Sequence, residues 1–544
     1  MKTVRFITLL LALAISGWAA IPAGAVWELR ASATAGNVNG CFYAGGGTDY
    51  SLQDAAQLTN TDGAGTGTTN FSSAGSTFTS AMVGNGLHIT VGGGLTVGWY
   101  HIAAFVDANN VTLDRSPGTG SAATFYVGGA CSMNSTLDDD LTEAVVAGNI
   151  IWMKSGSYST GESVNSSVAG TAASPIILEG YNSTRGDDPT GTNRPLLTLA
   201  ANSFQTSNYW KVRHIRFTGT AASMVTMGTG CLYENTSLVN TSSTASRTAL
   251  VGAQGGLVLN SVVQSYRGIA IGAGNSSTFS VVNSWIRDSA TGVSMTSNQP
   301  MNIIGNIFSS HTSTALVTTG ITSAYRAIIT GNTFYGSENT TGTGISGAAG
   351  PIPIVMNNIF YGFATGITVS GANDGYTAAY NTFYNNGTDR TTWPVGDSDI
   401  ALNPGFVGVG QVTGTAGAFT AGNDRLVDTS KNFTTAGVVA GRDFLFIVSG
   451  TGAAAGIYGI SSVTTTTNPN DTLVLDLAPG TNVTADKVYQ ITTGQNFAVG
   501  TNMKAVGHPG AFQGGYSTGY MDIGAVQRQE SAGGAGTTSY GGVQ

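Results

Sequence analysis

The sequence predicts an all-β solenoid in which short strands stack coil on coil. A helix is expected at its start, and two copies of a small β-module are attached. Three observations predict this. Asparagine returns in one short phrase at Asn235, Asn260, Asn283, Asn306, Asn332, Asn358 and Asn381, in steps of 25, 23, 23, 26, 26 and 23 residues. A fixed period in this range marks repeats that each bury their apolar face on the next. Two residues after five of these asparagines stand Trp285, Phe308, Phe334, Phe360 and Phe383, read as an aromatic stack inside the solenoid. Two distant stretches, Phe71–Val127 and Phe433–Ile491, then share one order of apolar phrases.

Residues 1–25 have the shape of a secretory signal. Lys2 and Arg5 precede the apolar run Phe6–Ile15, and Ala23–Ala25 offers a small-residue cleavage site. The mature chain is expected to be secreted, extracellular or at the cell surface, with no integral membrane segment once the signal is cut. Residues 26–134 form an N-terminal region holding the first β-module, at about 65–130. Residues 135–148 predict a capping helix. Leu137, Leu141, Ala144 and Val145 fall on one face, Ser135 or Thr136 caps it, Asp138–Asp140 favour its start, and Gly148 ends it.

Residues 149–407 are the solenoid, expected to hold ~10 coils at ~4.8 Å each. Asn suits the tight bend of each coil because it tolerates αL and bonds its own backbone. Stacked coils place all seven asparagines in a ladder, each amide bonding the next. In the second half of the coil, alternation points Ile269, Val293, Leu316, Ile345 and Ile367 inward and Ala270, Ser294, Val317, Ser346 and Thr368 outward. Residues 408–495 are the second β-module, with Leu87, Ile89, Tyr100, Ile102 and Leu113 expected to match Phe444, Phe446, Tyr458, Ile460 and Leu475. Residues 496–527 are a closing segment, and 528–544 a Gly/Ser/Thr-rich flexible tail.

Composition narrows the partners. Charged residues are 9% and glycines 78 of 544, against ~25% charged and ~7% Gly in an average domain. The net charge of −8 is spread thinly, which excludes nucleic acid as the expected partner. Cys41, Cys131 and Cys231 are odd in number, and the sequence leaves open whether Cys41 and Cys131 pair. No Cys/His spacing matches a zinc site, and no cofactor is expected.

Few residues carry chemistry. Trp210, Arg213, His214 and Arg216 share one early strand and form a candidate glycan-binding patch. Arg267 and Arg287 extend the candidate set; with Asp288 they lie on neighbouring coils and are expected to meet in space, a surface ion pair being the simpler reading than a catalytic set. Asp397 and Asp399 are paired acids near Trp393, of the type that glycoside hydrolysis uses; a polar loop is the simpler reading.

The coil phrases and Asn149–Tyr158 resemble right-handed parallel β-helix proteins of the pectate-lyase-like superfamily, over roughly residues 135–407. Asn403–Phe406 and Tyr520–Val526 are similar to the closing motifs of secreted bacterial β-helix proteins. Trp27–Arg30, Asp49–Ala56 and the β-modules resemble segments of phage virion and bacterial surface proteins. The resemblance implies the fold; the superfamily holds lyases, hydrolases, spikes and adhesins. It also implies that a lyase would carry acids, often with calcium, and a basic residue on the outward face that here bears Ser294, Ser346 and Thr368. The expected role is therefore structural or adhesive: a glycan-binding surface protein, or part of a homo-oligomeric or extracellular assembly. The competing expectation is a polysaccharide lyase or glycoside hydrolase, and only there does Ca²⁺ enter.

Overall fold

The structure is a computed structural model. It describes residues 24–33, 39–43, 45–132, 145–273, 278–295, 300–318, 327–347, 353–370, 377–406, 408–419, 424–464, 471–476, 478–480, 484–497, 499 and 524–525, without the side chains of 337–341 and 495–496. The signal, most of the capping-helix segment, most of the closing segment and the tail fall outside these residues. The chain divides into two compact units, residues 1–152 and 153–544.

The second unit contains a parallel β-solenoid, and the fold as a whole is all-β with about nine turns. Three ladders of parallel strands build each turn. Leu178, Val212, Tyr233, Val258, Val281 and Ile303 are stacked register partners in the first ladder, and all are buried. Leu238, Val263, Ile286, Phe308, Phe334, Phe360 and Phe383 follow one another in the second. Ile271, Val293, Leu316, Ile345 and Ile367 do so in the third. Four phenylalanines stack nearly parallel, with centroids 4.7, 4.8 and 4.9 Å apart. Such stacks add ~0.5–1.5 kcal/mol each beyond area burial.

Among the described residues there is no α-helix. The expected capping helix is not shown: 135–144 lie outside the described residues, and 145–148 form a turn in which Gly148 has φ +89°.

The bend between the first and second ladders has two slots, and the sequence repeat mixes them. One slot is a left-handed residue; the next reaches into the stack. Gly305, Gly331, Asn357 and Tyr380 take the left-handed slot in the later coils, with φ between 55° and 67°. Asn306, Asn332, Asn358 and Asn381 follow them and are fully buried. Each amide donates to the next carbonyl oxygen: Asn306 to Asn332 at 3.1 Å, Asn332 to Asn358 at 2.9 Å, Asn358 to Asn381 at 3.0 Å. The row ends on Asp399 at 3.1 Å, whose other oxygen holds Arg390 at 2.9 Å. Asp399 thus closes the stack, and Arg390 lies over the last ring, Phe383, at 4.0 Å.

Asn235, Asn260 and Asn283 stand instead in the left-handed slot, with φ 51°, 48° and 47°. The ladder passes through the residues after them. Thr236 N–H donates to Ser261 Oγ, Ser261 N–H to Ser284 Oγ, and Ser284 N–H to Asn306 Oδ1. Asn satisfies both slots, one through αL tolerance and one through its amide, so spacing alone could not separate them. Counting two from Asn283 also misplaced Trp285. Its strand neighbour Ile286 pairs with Phe308 and is the inward residue.

Each unit carries a closed six-stranded antiparallel barrel. The first runs in spatial order Leu58–Thr66, Asn70–Ser72, Asn110–Leu113, Gly98–Asp107, Gly86–Val91, Thr119–Val127. The second repeats that order with Gly408–Phe419, Arg425–Val427, Thr472–Leu475, Gly456–Thr464, Phe444–Ser449, Lys487–Asn496. Tyr100 pairs with Leu87 and Tyr458 with Leu445, so Leu87 and Ile89 match Leu445 and Ile447, one residue on from the expected Phe444 and Phe446. Residues 444–448 are all apolar and give alternation no phase to read. Among the described residues no helix is long and apolar enough to cross a membrane.

Candidate functional site

Three places on the solenoid gather polar side chains. The first is the outward face of the third ladder. Thr291, Thr314, Thr343, Thr365 and Thr388 are register partners on five successive coils, and Ser294, Val317, Ser346, Thr368 and Thr391 form a second row beside them. Between the rows, Val293, Leu316, Ile345 and Ile367 are buried. In the coil before, Ala270 is buried, and Gly272, not Ala270, pairs with Ser294. Likewise Ile269 pairs with Thr291, and Ile271 is the inward residue. β-branching leaves threonine few χ1 choices, so the all-threonine row presents its hydroxyls and methyls in a fixed pattern repeating every ~4.8 Å.

The second place lies on the outward face of the first ladder in the early coils. Glu179, Arg213 and Glu234 are register partners on consecutive coils. Arg213 donates to Glu179 at 3.0 Å and to Glu234 at 2.9 Å. His214, in the left-handed slot at φ +55°, places Nδ1 2.5 Å from Glu179 Oε1 and Nε2 3.0 Å from the Asn235 amide. With the proton on Nδ1, the imidazole donates to Glu179 Oε1 and accepts from the Asn235 amide. Asp188 stands 3.6 Å from Nε2. Arg216 is spent on main-chain carbonyls of Thr192 and Arg194. Burial, with Arg216 adding to it, pulls the Arg194 guanidinium down to about 10. Trp210 does not join the patch: it pairs with Ile176 on the inward side, is 2% exposed, and donates its indole N–H to Val168 O. Sequence reasoning missed Glu179 and Glu234. Both precede the bend, in the slot Arg213 holds, and aligning coils on the bend would have found them.

The third place is where the second barrel meets the solenoid. Arg287 lies between Trp285, at 4.1 Å, and Phe444, at 4.8 Å, donates to Arg442 O and binds the Asp288 carboxylate. Burial raises the Asp288 pKa, and Arg287 opposes that shift. Arg267 lies over the Tyr458 ring at 4.9 Å, and Tyr266 meets Phe444 edge-on at 5.5 Å. Arg267 and Arg287 therefore hold the barrel in place, and they are distant in sequence from the Glu179 cluster. Asp399 is the ladder terminus rather than half of an acid pair.

Calcium does not fit the Glu179 cluster, because both carboxylates already hold Arg213. Among the described residues no three His, Cys, Asp or Glu side chains group to hold a metal ion.

No family model matches the chain, and no curated protein matches it. Among solved structures it is similar to the pectate lyase Pel9A, with 14% identity, a TM-score of 0.36, and 71% of this chain and 90% of that one covered. It is similar to a PL6 family polysaccharide lyase from Pseudopedobacter saltans, with 15% identity, a TM-score of 0.32, and 46% and 74% covered. It is also similar to a tailspike of Acinetobacter baumannii bacteriophage AP22 in complex with capsular saccharide, with 10% identity, a TM-score of 0.23, and 81% and 84% covered. The likeness is one of fold.

Proposed function

We propose that this chain is a secreted or surface-displayed β-helix protein with an adhesive role, binding a glycan on the threonine-lined flank of its solenoid. The observation that carries this reading is the pair of hydroxyl rows from Thr291 to Thr391, in register on five coils. An extended sugar chain offers repeated hydroxyls and apolar C–H faces, and a fixed array of hydroxyls and methyls can meet both along its length. Bare charge is sparse on this flank, which suits an uncharged polysaccharide. Self-association into a surface assembly belongs to the same reading, and light scattering of the mature chain tests it.

A glycan array with the mature chain tests the reading. Binding of at least one polysaccharide, lost in a Thr365→Val/Thr368→Val double variant of unchanged melting temperature, is the expected result. Equal binding by variant and parent overturns the assignment of the face.

One observation favours a second reading, a polysaccharide lyase or hydrolase. Glu179 orients His214 in the manner of a carboxylate–imidazole pair, beside the Arg213 guanidinium, and such a pair moves protons. Incubation with a polysaccharide panel, with and without calcium, separates the two. New reducing ends or unsaturated uronate absorbance, abolished by His214→Gln, would establish catalysis.

A further inference from the structure

Two of the three cysteines meet at one strand of the N-terminal unit, and neither functional reading uses them. Cys41 is the register partner of Trp27, and Cys131 that of Leu29. Trp27 and Leu29 stand two residues apart on the strand Val26–Leu29, so all four side chains share one face. The other face carries Glu28, which binds Arg30 at 2.9 Å. Main-chain bonds hold the register: Glu28 N–H donates to Gly40 O at 2.8 Å, and Cys131 N–H to Glu28 O at 2.8 Å. Two positions along a strand set the Cα atoms about 6.6 Å apart, inside the ~4.4–6.8 Å range of disulfides. The sulfurs approach within that frame. A side-chain carbon at Gly40 would stand 2.5 Å from Cys131 Sγ, so this sulfur lies directly against the residue before Cys41. Both cysteines are buried thiols. Burial first, and Cys131 next, raise the Cys41 thiol well above its ordinary value.

We infer that Cys41 and Cys131 form one intramolecular disulfide when the folding chain meets a disulfide oxidant in an oxidising compartment. The compartment rests on the secreted reading above; the pairing does not. The thiolate of one cysteine attacks a sulfur of the oxidant's S–S bond, forms a mixed disulfide and releases one oxidant thiolate. The thiolate of the other cysteine attacks the protein sulfur of that mixed disulfide and releases the second. The two protons lost by the cysteines pass to the two released thiolates, so the cysteines are oxidised and the oxidant is reduced. In the folded chain both sulfurs are buried and Cys41 stays protonated, so the bond forms before the unit closes and resists exchange afterwards. It closes a loop of about 90 residues that contains the whole first barrel, and it ties the chain's entry to the barrel to its exit. Cys231, in the second unit, takes no part. Its sulfur donates to Ser207 O at 3.1 Å and accepts from Trp210 N–H at 3.4 Å. The odd count thus resolves into one pair and one core thiol.

Refolding the reduced mature chain in a mixture of oxidised and reduced glutathione tests the pairing, whatever compartment the chain reaches. Alkylation, proteolysis and mass spectrometry then read it. One linked peptide pair holding Cys41 and Cys131, with the alkyl label on Cys231 alone, is the expected result. The first barrel of the oxidised chain should unfold at least about 5 °C above that of the same chain kept reduced. The gain in hydrogen-exchange protection should fall on Gly86–Val91 and Thr119–Val127. Cys231→Ala should keep both the linked pair and the gain, and Cys41→Ala/Cys131→Ala should lose both. Label on all three cysteines after oxidative refolding overturns the proposal, as does a pair that includes Cys231 or a link between two chains. So does a linked pair in a chain whose barrel strands have lost their protection, because the bond then belongs to a misfolded form.

Discussion

The two barrels share strand order, core and even individual hydrogen bonds, yet they bury the same outer face with different chemistry. In the first, Gly86, His88, Trp99 and His101 occupy the positions that Phe444, Phe446, Ile457 and Gly459 hold in the second. His88 stacks flat on Trp99 at 4.2 Å, Trp99 meets Trp27 edge-on at 5.9 Å, and Tyr43 stacks on His101 at 4.9 Å. That face is closed by aromatic rings of the barrel's own unit, and Trp99 is fully buried. In the second barrel an aromatic residue, Phe444, opens the strand on that face, and Arg287 from the solenoid lies over it. The inner surface fixes the barrel; the outer face is free to diverge, and there the chain chooses what the barrel docks against.

The sharpest way to break this comparison is to remove a docking residue from each copy. Trp99→Ala empties a fully buried site and should cost about 3–5 kcal/mol, read as lost hydrogen-exchange protection over Gly86–Val91 and Gly98–Asp107. Strands of the second barrel should keep theirs. Arg287→Ala should do the converse at about 3 kcal/mol, because it leaves Asp288 buried without its cation. Loss of protection there should fall on Phe444–Ser449. If either substitution loosens both barrels alike, the faces are not independent docking surfaces.

Exchanging the docking chemistry is the next test. Desolvation holds the His88 pKa at about 3, well below its ordinary value near 6.5, and neither ring nitrogen has a partner in the protein. The folded state thus binds fewer protons than the unfolded one. Its stability is intact above pH 6.5 and declines as pH falls from there towards 3. At pH 5 the loss is about 2 kcal/mol. His88→Phe installs the residue that the second barrel has at Phe446 and should remove that pH dependence, while changing stability at pH 8 by less than about 1.5 kcal/mol. Melting curves at pH 5 and pH 8 check it; a variant as acid-sensitive as the parent would show that another group carries the effect.

How much of this was legible in the sequence follows from which residues have one physical use and which have two. Phenylalanine inside a coil has one, and Phe308, Phe334, Phe360 and Phe383 were readable. Asparagine has two, so Asn306 and Asn283 looked alike although one lies in the stack and the other at the bend. The charged site was legible in part. Arg213 and His214 stood out by rarity, but Glu179 and Glu234 come beside them only through coil stacking. Trp210 was misread because alternation gives two faces and not which of them is inside. Arg267 and Arg287 stood out as charges on neighbouring coils, but nothing local to them announces a barrel that begins more than a hundred residues later.

The smallest effect tests whether the two barrels are the same object in detail. Tyr100 donates its hydroxyl to Thr96 O at 2.9 Å, and Tyr458 donates to Ala454 O at 2.7 Å. Each bond spans four residues back along the chain and ties the start of a strand to the loop before it. Both rings are buried, so the Tyr→Phe change removes one hydrogen bond while leaving the packing of the ring in place. Tyr100→Phe and Tyr458→Phe should each cost about 1 kcal/mol. The two sites lie in separate barrels with no shared partner, so the double variant should lose the sum within about 0.5 kcal/mol. Paired denaturant titrations followed by hydrogen exchange in each barrel measure this. A several-fold difference between the two costs would mean that the matching bond is a coincidence of chain direction. Equal costs would place the hydroxyl anchor among the features that define the barrel, beside its strand order and its apolar core.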